Sequence, residues 1–585
     1  MKRQLLALAL LAAGPISALA QYQLPNSDFE SDFVEAYKCT KIGMKKTLHE
    51  PLYWHGYATL NSSFDNAFNP DVRVETKLTT STDVRTENNT TGSTHCVCIT
   101  SNSVLGVTAN GVMTTGRIYN KGTNAENAAQ NYNESDPSFD ISSEEKNKVT
   151  YSNNRSYAQT FKGKPDKFTV WVKFCPKNEN KGDYASVNAV IHTNARYQDP
   201  EEADNYKAVK VAAAKNNAIA NYNNWQKLEI DFDYSVGTEG NVPSYILVSF
   251  TTNKTPGGGS VGDRLYVDDI AMVYYNDLKT LTYGTGNDAQ NLLAKAGEAV
   301  NNVVNIDASD LFYEKSMVNY KKKGQGANIT EEKYDPATCI LTIKVEANDI
   351  SVNAQNYTIY KVQFKKPITI SDDQDVITTK DDNAKVIMTR TFKKGWNTIC
   401  LPFSTTAEAL GAANVQELTD CTNDLINFKS VEGNIMEWNT PYLIYFNEDK
   451  AFTSENPFIF AGRVTDSNQS TGVTFSPITM RGNYKAKFSM KGNYGVVDQN
   501  GVQRIMSGGE EATLGPCRAY FEGNGNYLAN GMLISFDGQT TGITSAELNA
   551  EGAAEDAPIY NLQGVRVNHL TKGVYIKGGK KIIVK

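Results

Sequence analysis

Histidine is scarce in this chain. Five occur in 585 residues, at positions 49, 55, 95, 192 and 569, so a histidine-based mechanism has few places to start. His49-Glu50 opens like the metal-binding helix of a zinc protease. Pro51 follows at once and the next histidine is His55, so two ligands one helical turn apart are missing. The run Gly257-Gly258-Gly259-Ser260 lacks the Lys-Ser/Thr of a phosphate-binding loop and precedes a strand pattern rather than a helix, which predicts a flexible loop. No segment after residue 20 approaches the length of a transmembrane helix. Basic residues are not in excess: the formal net charge is −7. Such a surface repels phosphate backbones and excludes nucleic acid as a partner.

The eight cysteines, at positions 39, 96, 98, 175, 339, 400, 421 and 517, are scattered. This is no small disulfide scaffold. Cys400 with Cys421 is the best candidate bridge. His95-Cys96-Val97-Cys98 resembles a metal cluster, but zinc pairs want two or more intervening residues and a second pair elsewhere. Cys96 and Cys98 share one face of a strand and read as small buried side chains.

What is present begins with a signal-peptide pattern over residues 1–20. Lys2 and Arg3 form a basic start, Leu5 to Ala13 a short apolar run, and Ala18-Leu19-Ala20 a small-residue cleavage site. Export to the cell surface or beyond is the expectation. Loss of Lys2 and Arg3 takes the net charge from −7 to −9. The remaining length suits several domains. Abundant Tyr (31) and Gly (43) fit exposed β-sheet surfaces with polar loops.

Along the chain the fold class reads as mostly β. Residues 21–275 alternate short apolar strands with polar loops. The clearest strands are Phe168–Phe174, Ser186–His192, Trp225–Tyr234, Tyr245–Thr251 and Leu265–Tyr275. The Ala-rich stretch Asn205–Ala220 is either a helix or a strand with an insertion. Strands without a βαβ rhythm predict a jelly-roll sandwich. Residues 276–370 have the size of an Ig-like sandwich, with a helix-like pattern over Asp288–Asn305 and paired strands at Cys339–Glu346 and Tyr357–Phe364. Residues 371–385 read as an exposed acidic linker, and 386–543 as a further all-β domain. Residues 544–585 read as a tail ending in a hairpin turned at Gly578-Gly579.

Two segments carry a resemblance. Leu24-Pro25-Asn26-Ser27-Asp28-Phe29-Glu30 resembles the opening of jelly-roll carbohydrate-binding modules. Gly262-Asp263-Arg264-Leu265-Tyr266-Val267-Asp268-Asp269-Ile270 resembles their closing strand. With Ser244 to Phe250, Trp171 to Pro176, Trp225, Phe232 and Tyr234, residues 22–275 resemble the family known as the putative carbohydrate metabolism domain. That resemblance implies an exported protein of glycan use with a polysaccharide or oligosaccharide as partner. It also implies a structural calcium where the two ends meet, held by Asp28, Glu30, Asp268 and Asp269 through hard oxygen ligands. Long polar insertions at Thr79–Thr94 and Lys121–Asn154 depart from the pattern and would reshape a groove. The tail is similar to sorting segments of exported Gram-negative gut bacterial proteins, which implies an association with outer-membrane or secretion machinery.

A sugar site needs exposed rings beside amides and carboxylates. Tyr53, Trp54 and Tyr57 lie among loop signals, and Tyr184 and Tyr197 flank a strand. These five are the candidates for carbohydrate binding. Trp171 and Trp225 read as core residues, and Trp396 and Trp438 as packing of the third domain. No catalytic residue is identified. Binding is the leading reading. A glycoside hydrolase on the same fold needs a carboxylate pair whose separation no sequence gives. A structural or adhesive surface protein is the third reading.

Overall fold

The computed structural model describes residues 21–39, 46–63, 78–104, 106–139, 149–150, 157–181, 184–202, 204–220, 223–422, 425–469, 472–499, 502–523, 532–540, 558–561, 566–567, 570, 573–577 and 580–584. The signal-like segment lies outside them. The chain forms two compact units, residues 1–365 and 366–585. Among the described residues no helix is long and apolar enough to cross a membrane.

Two five-stranded sheets build the first sandwich. In chain order their strands are β1 (Leu78–Ser81), β2 (Cys96–Thr100), β3 (Val112–Thr114), β4 (Gln159–Thr160), β5 (Lys167–Cys175), β6 (Ala185–His192), β7 (Lys210–Ile219), β8 (Gln226–Asp231), β9 (Tyr245–Thr251) and β10 (Arg264–Val273). One sheet has the order β8-β5-β10-β2-β1. The other has the order β4-β9-β6-β7, with β3 on the same edge of β9 as β4. All pairs are antiparallel. Alternate residues face inward, as strand geometry requires: Phe168, Val170, Val172 and Phe174 from β5 meet Val187, Ala189, Ile191, Val248 and Phe250 in one core. This is the jelly-roll sandwich.

The Ala-rich stretch resolves into strand β7, preceded by a short 3-10 turn at Asp204–Ala208. Its small side chains suit a strand covered on both faces: Ala212 and Ala214 enter the core, while Ala213 packs with Tyr197 and Tyr206 beneath an extra layer. That layer is a four-stranded sheet of Asn61–Ser62, Arg117–Asn120, Asn131–Ser135 and Tyr197–Asp199.

His192 is sealed under this layer. Its Nε2 lies 3.0 Å from Ser135 Oγ and its Nδ1 3.1 Å from Ala195 O. A carbonyl only accepts, so Nδ1 carries the proton and Nε2 accepts from the hydroxyl. Burial outweighs the bonds to Ala195 and Thr193 and pushes its pKa down to about 4. The folded pKa lies below the unfolded one, so His192 contributes stability that is full above about pH 6.5 and is lost as pH falls through about 4. Thermal unfolding midpoints should therefore drop over that window, and less so in His192→Gln. Parallel curves for the two proteins would rule this term out.

The second sandwich follows directly. Its four-stranded sheet holds β11 (Val303–Ala308), β12 (Asn328–Asp335), β13 (Ile340–Glu346) and β14 (Tyr357–Phe364) in the order β11-β14-β13-β12, with β11 parallel to β14. The helix expected over Asp288–Asn305 is instead a 3-10 turn at Leu292–Lys295 followed by β11. Asn301 and Asn302 take φ of 51° and 63°, a left-handed step that asparagine tolerates and a helix does not. Asp166 ties the two sandwiches by accepting from Tyr275 N–H (2.7 Å) and Gln325 N–H (2.8 Å).

The second unit is built around an eleven-stranded sheet that includes β15 (Gly395–Ile399), β16 (Asn414–Cys421) and β17 (Arg518–Gly523). The expected linker is mostly exposed, but Val376 and Thr378 are buried, and Thr378 Oγ1 donates to Thr465 O. Trp396 stacks on Phe536 at 4.0 Å, as packing residues do. Trp438 departs from that expectation, being 41% exposed with Arg463 over its ring. In the tail, Gly573–Lys577 and Lys580–Val584 pair antiparallel as the expected hairpin. Its Gly-Gly turn lies outside the described residues.

Candidate functional site

The opening and closing segments of the jelly roll do meet. Ile270 N–H donates to Ser27 O at 2.9 Å, and Gln23 brackets Met272 with two bonds of 2.7 Å. The register of β5 against β10 shifts between Thr169 and Trp171, opposite Asp269, which has φ 43°. Successive strand residues normally alternate faces. This bulge instead lets one side chain, Arg85, reach the carboxylates of both Asp268 and Asp269.

Arg85 is that shared partner. It comes from the polar insertion and is itself buried. Its Nη1 donates to Asp268 Oδ2 at 2.8 Å and its Nη2 to Asp269 Oδ2, while its guanidinium lies 4.9 Å from the Trp171 ring. Ser93 Oγ lies 2.8 Å from Asp268 Oδ2 and 3.2 Å from Glu30 Oε1, with its single proton given to one of the oxygens around it. Burial and the like charge of Asp269 push Asp268 up to about 7, against the Ser93 bond and the Arg85 charge. Glu30 goes the other way. Burial raises it, but bonds from the Thr94 hydroxyl and the His95 and Thr94 amides hold it down at about 2.

These residues do not fit the calcium that the resemblance implies. The Oδ2 atoms of Asp268 and Asp269 are taken by the Arg85 guanidinium and the hydroxyls of Ser93 and Thr91, and Asp268 Oδ1 by Asp269 N–H. Asp28 turns aside and accepts from Glu30 N–H at 3.4 Å. Among the described residues no group of three or more carboxylate, histidine or cysteine side chains converges as a metal site. Arg85 is the cation at Asp268 and Asp269 of the closing strand, and the opening end is reached through Glu30, which accepts from Thr94 and His95 N–H at the end of the same insertion.

The same insertion is stapled across the outer face of the β8-β5-β10-β2-β1 sheet. Asp83 pairs with Lys173 Nζ at 2.6 Å and accepts from Trp225 Nε1 at 3.2 Å. Trp171 and Trp225 therefore stand outside the core, on the face opposite Val170 and Val172. Cys96 and Cys98 share that outer face and pack with Tyr266, while Val97 and Ile99 go inward.

Three of the five predicted sugar-binding rings, Trp54, Tyr57 and Tyr197, are corrected by their burial. Trp54 is 0% exposed: it packs on Phe29 and Phe250, and its Nε1 donates to Pro25 O and Asn26 O. Tyr57 is buried with Leu60 and Ile118. Tyr197 is buried under the extra layer and its hydroxyl donates to Glu201. Tyr53 is half-buried against the first core. Loop signals around these residues mark turns, and the turns are folded down onto the sandwich. Tyr184 alone of the five is exposed, at 37%.

Tyr184 stands just before β6, in phase with Ser186 and Asn188, which point away from the core. The register sets Ser186 beside Thr251, and Asn188 between Lys215 and Ser249, with Thr114 next in the row. The extra layer covers the far half of this face, over Val190 and Leu247. The near half is polar. Ser186 and Thr251 hydroxyls are 2.8 Å apart, and Lys254 Nζ lies 5.0 Å from the Tyr184 ring. Burial raises the Asp199 carboxyl, while Lys215 and an Asn188 hydrogen bond pull against it. Asn188 Oδ1 is buried with no hydrogen-bond partner among the described residues. An unmet buried carbonyl costs about 1–3 kcal/mol, and the amide side of Asn188 bonds Asp199 of the extra layer. Sequence parity from Tyr184 to Asn188 carried the signal for this row. The insertion strand that limits it did not show in the pattern.

The glycine loop beside this face is pinned rather than flexible. Gly259 has φ +73°, and a Cβ there would meet Asp263 at 2.7 Å. Gly258-Gly259-Ser260-Val261-Gly262 has the spacing of a hydrolase nucleophile elbow. It leads into strand β10, not a helix, and Ser260 N–H is held by Asp263 Oδ2 at 2.7 Å.

The fold and this face define an all-β, multi-domain chain with a polar, ring-flanked sheet surface. No protein-family model and no curated protein matches it. Among solved structures it is similar to two proteins described as "putative glycoside hydrolase". The one from Bacteroides thetaiotaomicron is 13% identical, with 42% of this chain and 72% of that chain covered and a TM-score of 0.25. The one from Bacteroides vulgatus is 17% identical, with 42% and 96% covered and a TM-score of 0.25. An arabinose-bound α-L-arabinofuranosidase is 9% identical, with 38% and 23% covered and a TM-score of 0.18. At this level of likeness, function is read from the site alone.

Proposed function

We propose that this protein binds carbohydrate, outside the cytoplasm, on the near half of the β4-β9-β6-β7 face. The observation that carries the reading is the placement of an exposed ring, Tyr184, in line with Ser186 and Asn188, whose Oδ1 has no partner among the described residues. Sugars offer C–H faces to a ring and hydroxyls to amides and alcohols. Tyr184 would cover the first; Ser186, Asn188, Thr251 and Lys254 would take the second. Small hydroxyl residues leave room for a flat ligand, and the extra layer limits its length.

The test is a glycan array on the whole protein, followed by titration calorimetry of the best ligand. Tyr184→Ala should weaken that ligand about tenfold, equivalent to about 1.4 kcal/mol. Asn188→Ala should weaken it as well. Tyr184→Ala should leave the unfolding midpoint in place because its ring is exposed, whereas Asn188→Ala also takes a bond from buried Asp199 and should lower the midpoint by several degrees. Full affinity in both variants would remove this face from consideration.

A further inference from the structure

Cys400 and Cys517 face each other in the second unit. Cys400 follows β15 and Cys517 precedes β17, two strands that are not paired in the sheet but approach each other at these ends. Ala519 N–H donates to Thr398 Oγ1 at 3.0 Å, and one step along Cys400 N–H donates to Cys517 O at 3.2 Å. These bonds bring Thr398 to Ala519 and Cys400 to Cys517, where Cys517 turns with φ 56°. Arg390 clamps the two segments together, donating to Cys517 O at 2.7 Å and to Thr398 O at 2.9 Å. Both cysteine side chains are wholly buried and belong to one core, with Phe392, Ile399 and Tyr484. The Tyr484 hydroxyl lies 3.6 Å from Cys400 Sγ.

The backbone bond from Cys400 to Cys517 holds the two residues in direct contact. A disulfide spans about 4.4–6.8 Å between Cα atoms. We infer that Cys400 and Cys517, both thiols in this structure, are an oxidisable pair that closes to a disulfide between the ends of β15 and β17. Cys421, the partner favoured by spacing, packs in a different core with Leu418, Ile426 and Phe428, so it is not the mate of Cys400.

The chemistry is thiol–disulfide exchange. One cysteine thiolate attacks a small disulfide such as oxidised glutathione and releases one reduced thiol. The second thiolate displaces the other half, so two protein thiols are oxidised and one reagent disulfide is reduced to two thiols. Burial pushes the Cys517 thiol up to about 12 in the folded chain, where it is inert. The bond therefore forms while the unit folds. It would close a loop of more than a hundred residues, the kind that restrains an unfolded chain most.

The full chain, refolded with a glutathione redox pair, should be alkylated under denaturing conditions and digested. The expected product is a joined peptide holding Cys400 and Cys517, absent from Cys400→Ala and from Cys517→Ala. The oxidised protein should unfold several degrees higher than the reduced one. If refolding fails, the same digest of protein secreted into an oxidising compartment decides the matter. Alkylation of both cysteines there, or a bond from either to Cys421, would overturn the pairing.

Discussion

Replacing Arg85 with alanine should destabilise the N-terminal sandwich by about 3–5 kcal/mol, the usual cost of removing one partner from a buried ion pair. In a domain of this size that is on the order of a 10 °C fall in the unfolding midpoint. The variant leaves Asp268 and Asp269 side by side with no cation, in a place where charge is poorly solvated. Arg85→Lys should lose less, because it keeps the charge but cannot fork across two carboxylates. The loss has a definite pH sign. Asp268 already sits raised to about 7, so the stability tied to its proton is present below its unfolded value and lost as pH rises through the folded one. Without Arg85 it rises further. The alanine variant should therefore suffer more at pH 8 than at pH 5. Calorimetric scans at both pH values, with calcium and with chelator, check all of this. The wild type should be indifferent to both additives, and a midpoint that climbs with calcium would sink the guanidinium brace.

Trp54→Ala should cost a similar amount, about 3–5 kcal/mol, because a wholly buried indole leaves a large cavity. Two further losses follow from its position. Pro25 O and Asn26 O give up their donor, and the opening segment gives up the ring it wraps. Trp54→Phe keeps much of the volume and should lose only about 1–2 kcal/mol through the missing N–H. Glycan affinity measured well below the unfolding temperature should be unchanged in both. A variant that kept its midpoint and lost sugar binding would restore Trp54 as a ligand-facing ring, against its burial.

The strands that carry the jelly roll were legible because β-branched and aromatic residues concentrate there between Gly, Asn and Pro boundaries. Phe168 to Phe174, Ser186 to His192 and Tyr245 to Thr251 all appear within a residue or two of their observed ends. The helix pattern at Asp288–Asn305 misled because spacing says nothing of the left-handed steps at Asn301 and Asn302. The rings were harder. A tyrosine or tryptophan in a loop looks the same in sequence whether the loop stands free or folds back onto the core. Trp54 folds back, and Trp171, set in an apolar pattern, faces outward.

Sequence alone determined the all-β class and the inward-outward phase that puts Tyr184 with Ser186 and Asn188, while the meeting of Asn26–Glu30 with Asp268–Asp269 was only what a family resemblance implied. The first two follow from local alternation, which is a property of neighbours in the chain. Only the tertiary structure decided that Arg85 is the cation at that meeting point, that an inserted strand covers half of the candidate face, and that Cys400 stands beside Cys517. Each of these joins residues from dozens to nearly two hundred positions apart, and such contacts are set by packing of the whole chain, which no local pattern records.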